Sequence, residues 1–295
     1  MPPSVDGVSG DSHHAGPFTC FDQSWWIHAA DPQLTELLRT LYGPMRSPPS
    51  RMVDAVEYRT EPERTGAGGT LLRDGEVLGR ELTPGQLLGR LLWAINRQVI
   101  DRVAPHRLLL HASAAADTVG RVVLLPAPME HGKTTLVTGL LDRGLGYLTD
   151  EAAAVDADLT VRGFAKPLSI DRGAWHLFPH HEPGLPAPTA RYMAGQWQVP
   201  AHRFTQVHSC GRLALIVFPT HSPGAPTTLR RLRPIEALDI ARASTFAPGA
   251  GPLPAVRIRQ LAAMVTRVPC YRLRSGDLAE ACHAVLTAMD EQRIT

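Results

Sequence analysis

Hydrophobic residues in the first third of this chain recur with the two spacings that distinguish helices from strands. Leucines three and four residues apart follow Asp31-Pro32 and Thr83-Pro84, which predicts two helices, because Asp or Thr before Pro is a common helix start. Apolar residues predict strands over residues 55–59 and 69–73, and Asp74-Gly75 predicts a hairpin turn. This part of the chain therefore combines helices and strands in a small unit.

From residue 108 onwards, short apolar runs alternate with longer amphipathic segments. The runs predict strands over residues 108–116, 121–125, 145–148, 152–156, 161–170, 213–218, 227–233 and 270–273. The amphipathic segments predict helices over residues 133–143, from residue 234, over residues 254–265 and over residues 277–289. Strands that alternate with helices are typical of an α/β architecture.

These patterns divide the chain into three parts. Residues 1–17 have no periodicity and are expected to form a disordered tail. Residues 18–107 are predicted to form the small α+β module, and residues 108–295 the larger α/β domain. Within that domain, residues 176–203 are rich in Pro and His and are expected to form a long loop.

The segment around Gly132-Lys133-Thr134 is the most informative motif. It follows a predicted strand and opens a predicted helix, which is the arrangement of a phosphate-binding P-loop. In such a loop, N–H groups at the helix start surround the phosphates, the Lys reaches the β- and γ-phosphates, and the Thr hydroxyl holds Mg²⁺. The residues predicted to contact a nucleotide are Ala127, Pro128, Met129, Glu130, His131, Gly132, Lys133, Thr134 and Thr135.

Two residues depart from the pattern G-x-x-x-x-G-K-[ST]. The use of lysine in this chain, by contrast, supports a phosphate-binding loop. Ala127 stands where the pattern has Gly, and the carboxylate of Glu130 would repel phosphate unless it points outward. The chain has only two lysines, Lys133 and Lys166, and every other basic residue is Arg. A compact ammonium fits beneath a phosphate where a planar guanidinium does not, so a retained Lys indicates such a position.

Asp150 and Glu151 follow a predicted strand and lie at the sheet edge where ligands bind in α/β proteins. Asp150, together with Thr134, is the candidate magnesium ligand, and either acid can accept the proton of an attacking hydroxyl. His111 lies inside an apolar strand close to the loop in sequence, and is a further candidate. Lys166 is a candidate contact for a phosphate or another acidic group of the substrate.

Composition removes several classes of function. A net charge of +2 gives no reason to expect nucleic acid or a membrane surface as a partner. Four cysteines without paired spacing argue against a zinc site or a disulfide framework, and the histidines of residues 176–203 are spaced too irregularly to indicate a metal site. The sequence shows no secretory signal and no apolar run of membrane-spanning length, so we expect a cytoplasmic enzyme.

Together these segments resemble a known family. Leu110-His111-Ala112-Ser113, the Gly132-Lys133-Thr134 loop and residues 144–151 resemble the core of the HPr kinase-like P-loop family. Lys166-Pro167 and the strand at residues 213–218 also resemble its small stand-alone members. The resemblance implies an α/β fold with an HPr kinase/PEP carboxykinase-like mixed sheet and flanking helices, preceded by the small α+β N-terminal module.

The resemblance also implies roles for individual residues. Lys133 and Thr134 would hold the phosphates of ATP and Mg²⁺, His111 would lie beside the γ-phosphate, and Asp150 and Glu151 would bind metal water and activate the acceptor hydroxyl. Members of the family often assemble into rings, which implies a possible homo-oligomer. The Arg-Gly-Gly signature of true HPr kinase/phosphorylases is absent, which counts against HPr as substrate and against phosphorylase activity.

The expected function is therefore an ATP- and Mg²⁺-dependent kinase that phosphorylates a hydroxyl, in the first place a Ser of a small protein or precursor peptide. Two alternatives stay open at this point. The acceptor can be the hydroxyl of a small molecule. The chain can also be a nucleotide-binding scaffold or pseudo-kinase without chemistry, to which Ala127 and Glu130 point.

Overall fold

Two mixed β-sheets with helices packed against them form the fold, as expected for an α/β protein. The structure, a computed structural model, describes residues 13–48, 54–62, 68–247, 249 and 251–292. Within these ranges, no helix is both long enough and apolar enough to cross a membrane.

The first sheet contains five strands, all from the N-terminal part of the chain. In spatial order they are β1 (His13–Cys20), β2 (Gln23–Ala29), β3 (Val56–Pro62), β4 (Gly69–Arg73) and β5 (Glu76–Leu82). Strands β2 and β3 are parallel and the other pairs are antiparallel. The helices α1 (Pro32–Leu41) and α2 (Pro84–Val103) bury their leucine faces in the core beside this sheet.

The predicted helix starts are confirmed at both helices. The Asp31 side chain accepts from the N–H of Gln33, and Thr83 forms a capping box with Gln86. The predicted hairpin turn is confirmed as well, since Asp74 and Gly75 have positive φ angles of 48° and 84°. Each of these caps satisfies backbone groups that a helix end or a turn would otherwise leave unpaired.

The predicted disordered tail over residues 1–17 is wrong for its last five residues. Strand β1 begins at His13, and residues 1–12 lie outside the described residues. A hairpin explains the difference: Phe21 and Asp22 have φ angles of 50° and 65°, which turns the chain tightly so that β1 pairs with β2. Pairing with a neighbouring strand orders residues that carry no periodicity of their own.

The second sheet contains eight strands, all after residue 107. They are β6 (Leu108–Ala116), β7 (Arg121–Pro126), β8 (Gly146–Thr149), β9 (Ala152–Val155), β10 (Thr160–Gly163), β13 (Cys210–His221), β14 (Thr228–Arg231) and β15 (Cys270–Ser275). The order is β10-β9-β6-β7-β13-β15-β14, with β8 paired to β6 and a further pairing between β10 and β13. Strand β13 is parallel to both β7 and β15.

Helices cover both faces of this sheet. Helices α3 (Lys133–Leu141) and α7 (Leu278–Glu291) pack on one face, and α5 (Pro234–Ala243) and α6 (Ala255–Arg267) on the other. Each face has its own apolar core, so the strands between them are apolar on both sides, as a doubly covered sheet requires.

The segment between the sheet strands β10 and β13 differs from the prediction in two ways. Residues 161–170 do not form one strand, because Lys166-Pro167 separates β10 from β11 (Leu168–Asp171). The predicted loop 176–203 contains a strand, β12 (Gln196–Val199), which pairs with β11 in a separate two-stranded sheet. It also contains the four-residue helix α4 (Ala187–Ala190) and 3₁₀ turns at Pro179–His181, Arg191–Met193 and Ala201–Arg203, and a further 3₁₀ turn, Arg172–Leu177, overlaps its start.

The two parts of the chain share a continuous core rather than meeting at a polar boundary. Leu109, Ala152 and Phe164 pack in the same apolar cluster as the residues of α1 and α2. The carboxylate of Asp31 also accepts hydrogen bonds from Arg191 and Tyr192, both at 2.6 Å. The N-terminal sheet and its helices therefore support the strand that carries His111.

Candidate functional site

Strand β6 brings the candidate site residues together through its pairing with two neighbours. Ala112 is paired with Pro126 at the end of β7, and His111 is paired with Ala152 at the start of β9. The N–H of Ala112 donates to the carbonyl oxygen of Glu151 at 3.2 Å. His111 therefore lies between the candidate phosphate loop, residues 127–132, and the acidic turn, which is formed by Asp150 and Glu151 between β8 and β9.

The backbone of the candidate phosphate loop combines helical and left-handed residues. Gly132 is the N-cap of α3 with a φ of 82°, and Glu130 has a φ of 63°, whereas the φ of Ala127 is not positive. Ala127 therefore adopts this loop without the strain that a left-handed residue with a Cβ would carry. The first N–H groups of α3 have no acceptor one turn earlier, which is what makes a helix start suitable for an anion.

The side chains of the loop divide into an inward and an outward set. The inward one is Lys133, which is buried and donates from Nζ to the carbonyl oxygen of Pro128 at 2.7 Å. Met129 and Glu130 are exposed, and His131 donates from Nδ1 to the carbonyl of Met129 at 2.9 Å. Glu130 points outward, so solvent screens part, but not all, of the repulsion between its carboxylate and a phosphate.

Lys133 is electrostatically coupled to the acidic turn. Burial lowers the pKa of Lys133 to about 8, and the nearby carboxylates of Glu151 and Asp150 raise it in opposition. The ammonium therefore lies close to both acids in a partly desolvated position. A phosphate that entered this position would add negative charge and favour the protonated form of Lys133.

Asp150 is the centre of a buried polar network. Its carboxylate contacts Nζ of Lys166 at 2.7 Å, and the two side chains are 3% and 4% exposed. Tyr147 donates its hydroxyl to the same carboxylate at 2.9 Å, and the N–H of Ser169 donates to it at 3.1 Å. Both oxygens of Asp150 therefore already have partners within the protein.

Lys166 is held by backbone and side-chain groups on its other side. Its Nζ donates to the carbonyl of Pro167 at 3.0 Å and to Oγ of Ser169 at 3.4 Å. Ser169 in turn donates to the side-chain amide oxygen of Gln198 at 2.9 Å. The contact of Lys166 with an acidic group is thus made inside the chain, and a contact with substrate stays a prediction.

Glu151 is the more accessible of the two acids. Its side chain is 31% exposed, and burial raises its pKa while the charge of Lys166 lowers it. Nε2 of His111 lies 3.9 Å from Oε1 of Glu151. A carboxylate with a raised pKa, beside an imidazole and at the edge of a sheet, is suited to accept a proton.

His111 is held as a neutral imidazole. Burial lowers the pKa of His111 to about 4, with a further lowering by the charge of Lys133. Its backbone N–H donates to the carbonyl of Ser244 at 2.7 Å, and its ring lies 5.6 Å from that of Phe246, centroid to centroid. Residues 244–246 therefore pack against His111.

Several residues of this site were not predicted from the sequence. Tyr147 and Ser169 hold the carboxylate of Asp150. Tyr147 lies in the segment 144–151 that carries the resemblance but was given no role, and Ser169 belongs to no motif. His221, at the end of β13, is also close to the loop, since a Cβ added to Gly132 would lie 3.3 Å from its Cβ. A polar residue at the carboxyl end of a strand parallel to β7 was the available signal for His221.

The residues present fit a nucleotide phosphate better than they fit a magnesium ion held directly by Asp150. The helix start at Gly132, the buried Lys133 and the half-buried Thr134 and Thr135 form the donor set that a phosphate needs. Asp150 already accepts three contacts, so its predicted role toward magnesium is best served through water.

Comparison with known proteins gives little beyond this geometry. No family model matches the sequence, and no curated protein matches it. Among solved structures, the chain is similar to the HPr(Ser) kinase/phosphatase from Coxiella burnetii, with a TM-score of 0.35 and 13% identity. That similarity covers 63% of this chain and 96% of the other chain. No property of that enzyme is carried over to this chain on a similarity of this size.

Proposed function

We propose that the protein is an ATP- and Mg²⁺-dependent phosphotransferase that transfers the γ-phosphoryl group to a hydroxyl, with Ser of a small protein or precursor peptide as the first acceptor class. The observation that carries the proposal is the register of β6, which places His111 between the loop of Lys133 and the turn of Glu151. A phosphate-binding loop beside a proton acceptor is the minimum arrangement for phosphoryl transfer to a hydroxyl.

Each residue has a role that follows from its surroundings. The N–H groups of residues 132–135 and the ammonium of Lys133 bind the nucleotide phosphates, and the Thr134 hydroxyl is the ligand for magnesium. Bound ATP and Mg²⁺ supply the transferable phosphoryl group and neutralise its charge. Glu151 accepts the proton of the acceptor hydroxyl, because it is the accessible carboxylate and burial raises its pKa.

In this proposal, Asp150 and His111 influence Lys133 and Glu151 and do not themselves accept the proton of the acceptor hydroxyl. Asp150 is fixed by Lys166, Tyr147 and Ser169, and it acts electrostatically on Lys133. His111 is neutral at physiological pH, because burial lowers its pKa to about 4, and it therefore serves as a hydrogen-bond partner next to Glu151.

One observation favours a second candidate, a nucleotide-binding scaffold without turnover. Glu130 is a non-glycine residue in the left-handed region, at a φ of 63°, within the loop that would contact phosphates. Its charge disfavours a polyanion even though the side chain is exposed. Weak nucleotide binding without chemistry would then be the function of the site.

Calorimetric titration of ATP with Mg²⁺, followed by ADP release in the presence of Ser-containing peptides and of metabolites, separates the two candidates. For the kinase, Lys133→Ala abolishes ATP binding, whereas Glu151→Gln keeps binding and lowers turnover about 10²- to 10⁴-fold. Asp158→Asn, in an exposed turn between β9 and β10, is the control and should change neither.

The outcomes are distinct. Phosphoryl transfer that survives Lys133→Ala refutes the kinase proposal, and ATP binding by the wild type without turnover on either acceptor class supports the scaffold. Turnover on metabolites but not on peptides keeps the chemistry and changes the acceptor to a small-molecule hydroxyl.

A further inference from the structure

Three metal-ligating side chains meet at the end of α3 that lies opposite the candidate phosphate loop. Asp142 is the C-cap of this helix, and His180 and His181 lie in the 3₁₀ turn Pro179–His181. Nε2 of His181 lies 2.7 Å from Oδ1 of Asp142, and Nε2 of His180 lies 3.0 Å from Oδ2. One ligand atom from each residue lies within 4.8 Å of the other two.

We propose that Asp142, His180 and His181 bind one divalent transition-metal ion of the Zn²⁺ class, and that the ion fastens the segment that contains β11 and β12 to α3. The proposal does not depend on the proposed kinase function, because it involves none of the residues assigned to phosphoryl transfer.

The spacing of the ligand atoms fits a shared ion. Zinc binds imidazole nitrogen and carboxylate oxygen at about 2.0–2.2 Å, so two ligands in a tetrahedral shell lie about 3.3–3.6 Å apart. The two nitrogen-to-oxygen distances of 2.7 and 3.0 Å are shorter than this by less than about 1 Å, so small side-chain shifts would admit an ion between the ligands. The two imidazole rings lie 4.3 Å apart, centroid to centroid, so both reach the same carboxylate from one side.

The negative charge of Asp142 at a helix C-terminus also favours a bound cation. Asp142 places a carboxylate at the C-terminal end of α3, where the helix dipole disfavours negative charge. The two imidazoles face this carboxylate at 2.7 and 3.0 Å. The rings of Phe178 and Phe204 pack against the buried His181 and hold it in this position.

The ligand atoms of the cluster fit a nitrogen-rich site rather than a calcium or magnesium site. Beside the cluster, Arg203 donates to the backbone carbonyls of Glu182 and His180. Arg143 caps the helix end by donating to the carbonyl of Gly139 at 2.8 Å. Two imidazoles and one carboxylate favour zinc and its neighbours, whereas magnesium and calcium prefer oxygen ligands.

The cluster leaves room for a fourth ligand. The side chain of His180 is 56% exposed, whereas those of Asp142 and His181 are 23% and 9% exposed. Water can therefore complete a four-coordinate shell on the solvent side. The ion would join α3, which follows the candidate phosphate loop, to the segment that contains β11 and β12.

Calorimetric titration of Zn²⁺ into the full, chelator-treated chain tests the proposal. We expect one tightly bound equivalent, a dissociation constant raised at least tenfold by Asp142→Asn and by His180→Gln, and no change with His176→Gln. His176 is an exposed histidine of the same segment, so it is the matched control. A hundredfold excess of Mg²⁺ should not displace the ion.

Two further measurements keep the result interpretable. Zn²⁺ should raise the melting temperature of the wild type but not that of His180→Gln, whose exposed side chain can be replaced without unfolding the protein. Co²⁺ should give visible absorption bands that the same variant loses. No tight equivalent, or binding that both His180→Gln and Asp142→Asn leave unchanged, would overturn the proposal and leave the cluster as an ion pair.

Discussion

The buried pair of Lys166 and Asp150 allows a quantitative test of how the candidate site is held together. We consider the substitution Lys166→Met, which leaves an unbranched side chain one atom shorter and removes its charge. At 2.7 Å and an effective dielectric constant of about 20, the Coulomb attraction of the pair is about 6 kcal/mol. Most of this attraction only offsets the cost of burying the two charges.

The expected loss is set by what happens to Asp150 in the variant. Two hydrogen bonds remain, from Tyr147 and from the N–H of Ser169, but the carboxylate has lost its cation. Breaking such a pair costs about 3–5 kcal/mol. We therefore expect a loss of about 3–5 kcal/mol, as an order-of-magnitude value.

Urea denaturation at pH 7, followed by tryptophan fluorescence, measures this loss if the denaturant slope is unchanged. The double variant Asp150→Asn/Lys166→Met should be more stable than the sum of the single losses predicts, with a coupling of about 2–3 kcal/mol.

Arg97→Met provides the matched control. Arg97 and Asp101 are 2.8 Å apart but are 58% and 52% exposed, so the loss of this pair should cost less than about 0.5 kcal/mol. A loss below about 1 kcal/mol for Lys166→Met, or single losses that simply add, would refute the view that burial makes this pair indispensable to Asp150.

Three further predictions concern the loop and the helix caps. Glu130→Gly removes the strain of a left-handed non-glycine residue and a negative charge, whereas Glu130→Gln removes the charge alone. Both variants should tighten ATP binding about three- to tenfold by calorimetry, and Glu130→Gly should be the more stable of the two. Equal or weaker ATP binding would show that charge repulsion by Glu130 does not limit the affinity. ATP affinity should fall as the pH rises through about 8, because free Lys133 loses its proton there, and a flat profile between pH 7 and 9 would contradict this coupling. Asp31→Ala should lower the free energy of unfolding by about 2–3 kcal/mol in urea denaturation, since Asp31 caps α1 and also binds Arg191 and Tyr192. Asp277→Ala, which removes only a helix cap, should lower it by about 1 kcal/mol. Equal losses would show that the contacts of Asp31 with Arg191 and Tyr192 contribute nothing to stability.

Local chemistry explains why some elements were predictable. The helices that follow Asp31 and Thr83, and the hairpin at Asp74-Gly75, depend on caps and turns that act within four residues of the chain. The strand–loop–helix arrangement around Gly132 is local in the same sense. These elements were therefore visible in the sequence, and the structure confirms them.

Elements that depend on distant partners were missed or assigned wrongly. Strand β1 exists because β2 pairs with it, and β12 exists because β11 does, although neither segment has a convincing period of its own. A strand gains most of its stability from its neighbour, so a segment read in isolation does not reveal it.

The candidate site shows the same division between local and distant information. The identities of Lys133, Asp150, Glu151 and His111 as chemically capable residues were readable from residue type and motif spacing. Their arrangement was not: only the fold pairs Asp150 with Lys166, 16 positions further along the chain, and leaves Glu151 as the accessible acid.

The cluster at the end of α3 is the clearest case of information that resides in tertiary structure alone. The irregular spacing of the histidines in residues 176–203 argued against a metal site, because their carboxylate partner is not near them in sequence. The fold supplies Asp142 from the end of α3, within 3.0 Å of both His180 and His181. Sequence determines which groups are available and how each element begins and ends. Only packing decides which of those groups share a desolvated position, because contact distance and burial depend on the whole chain.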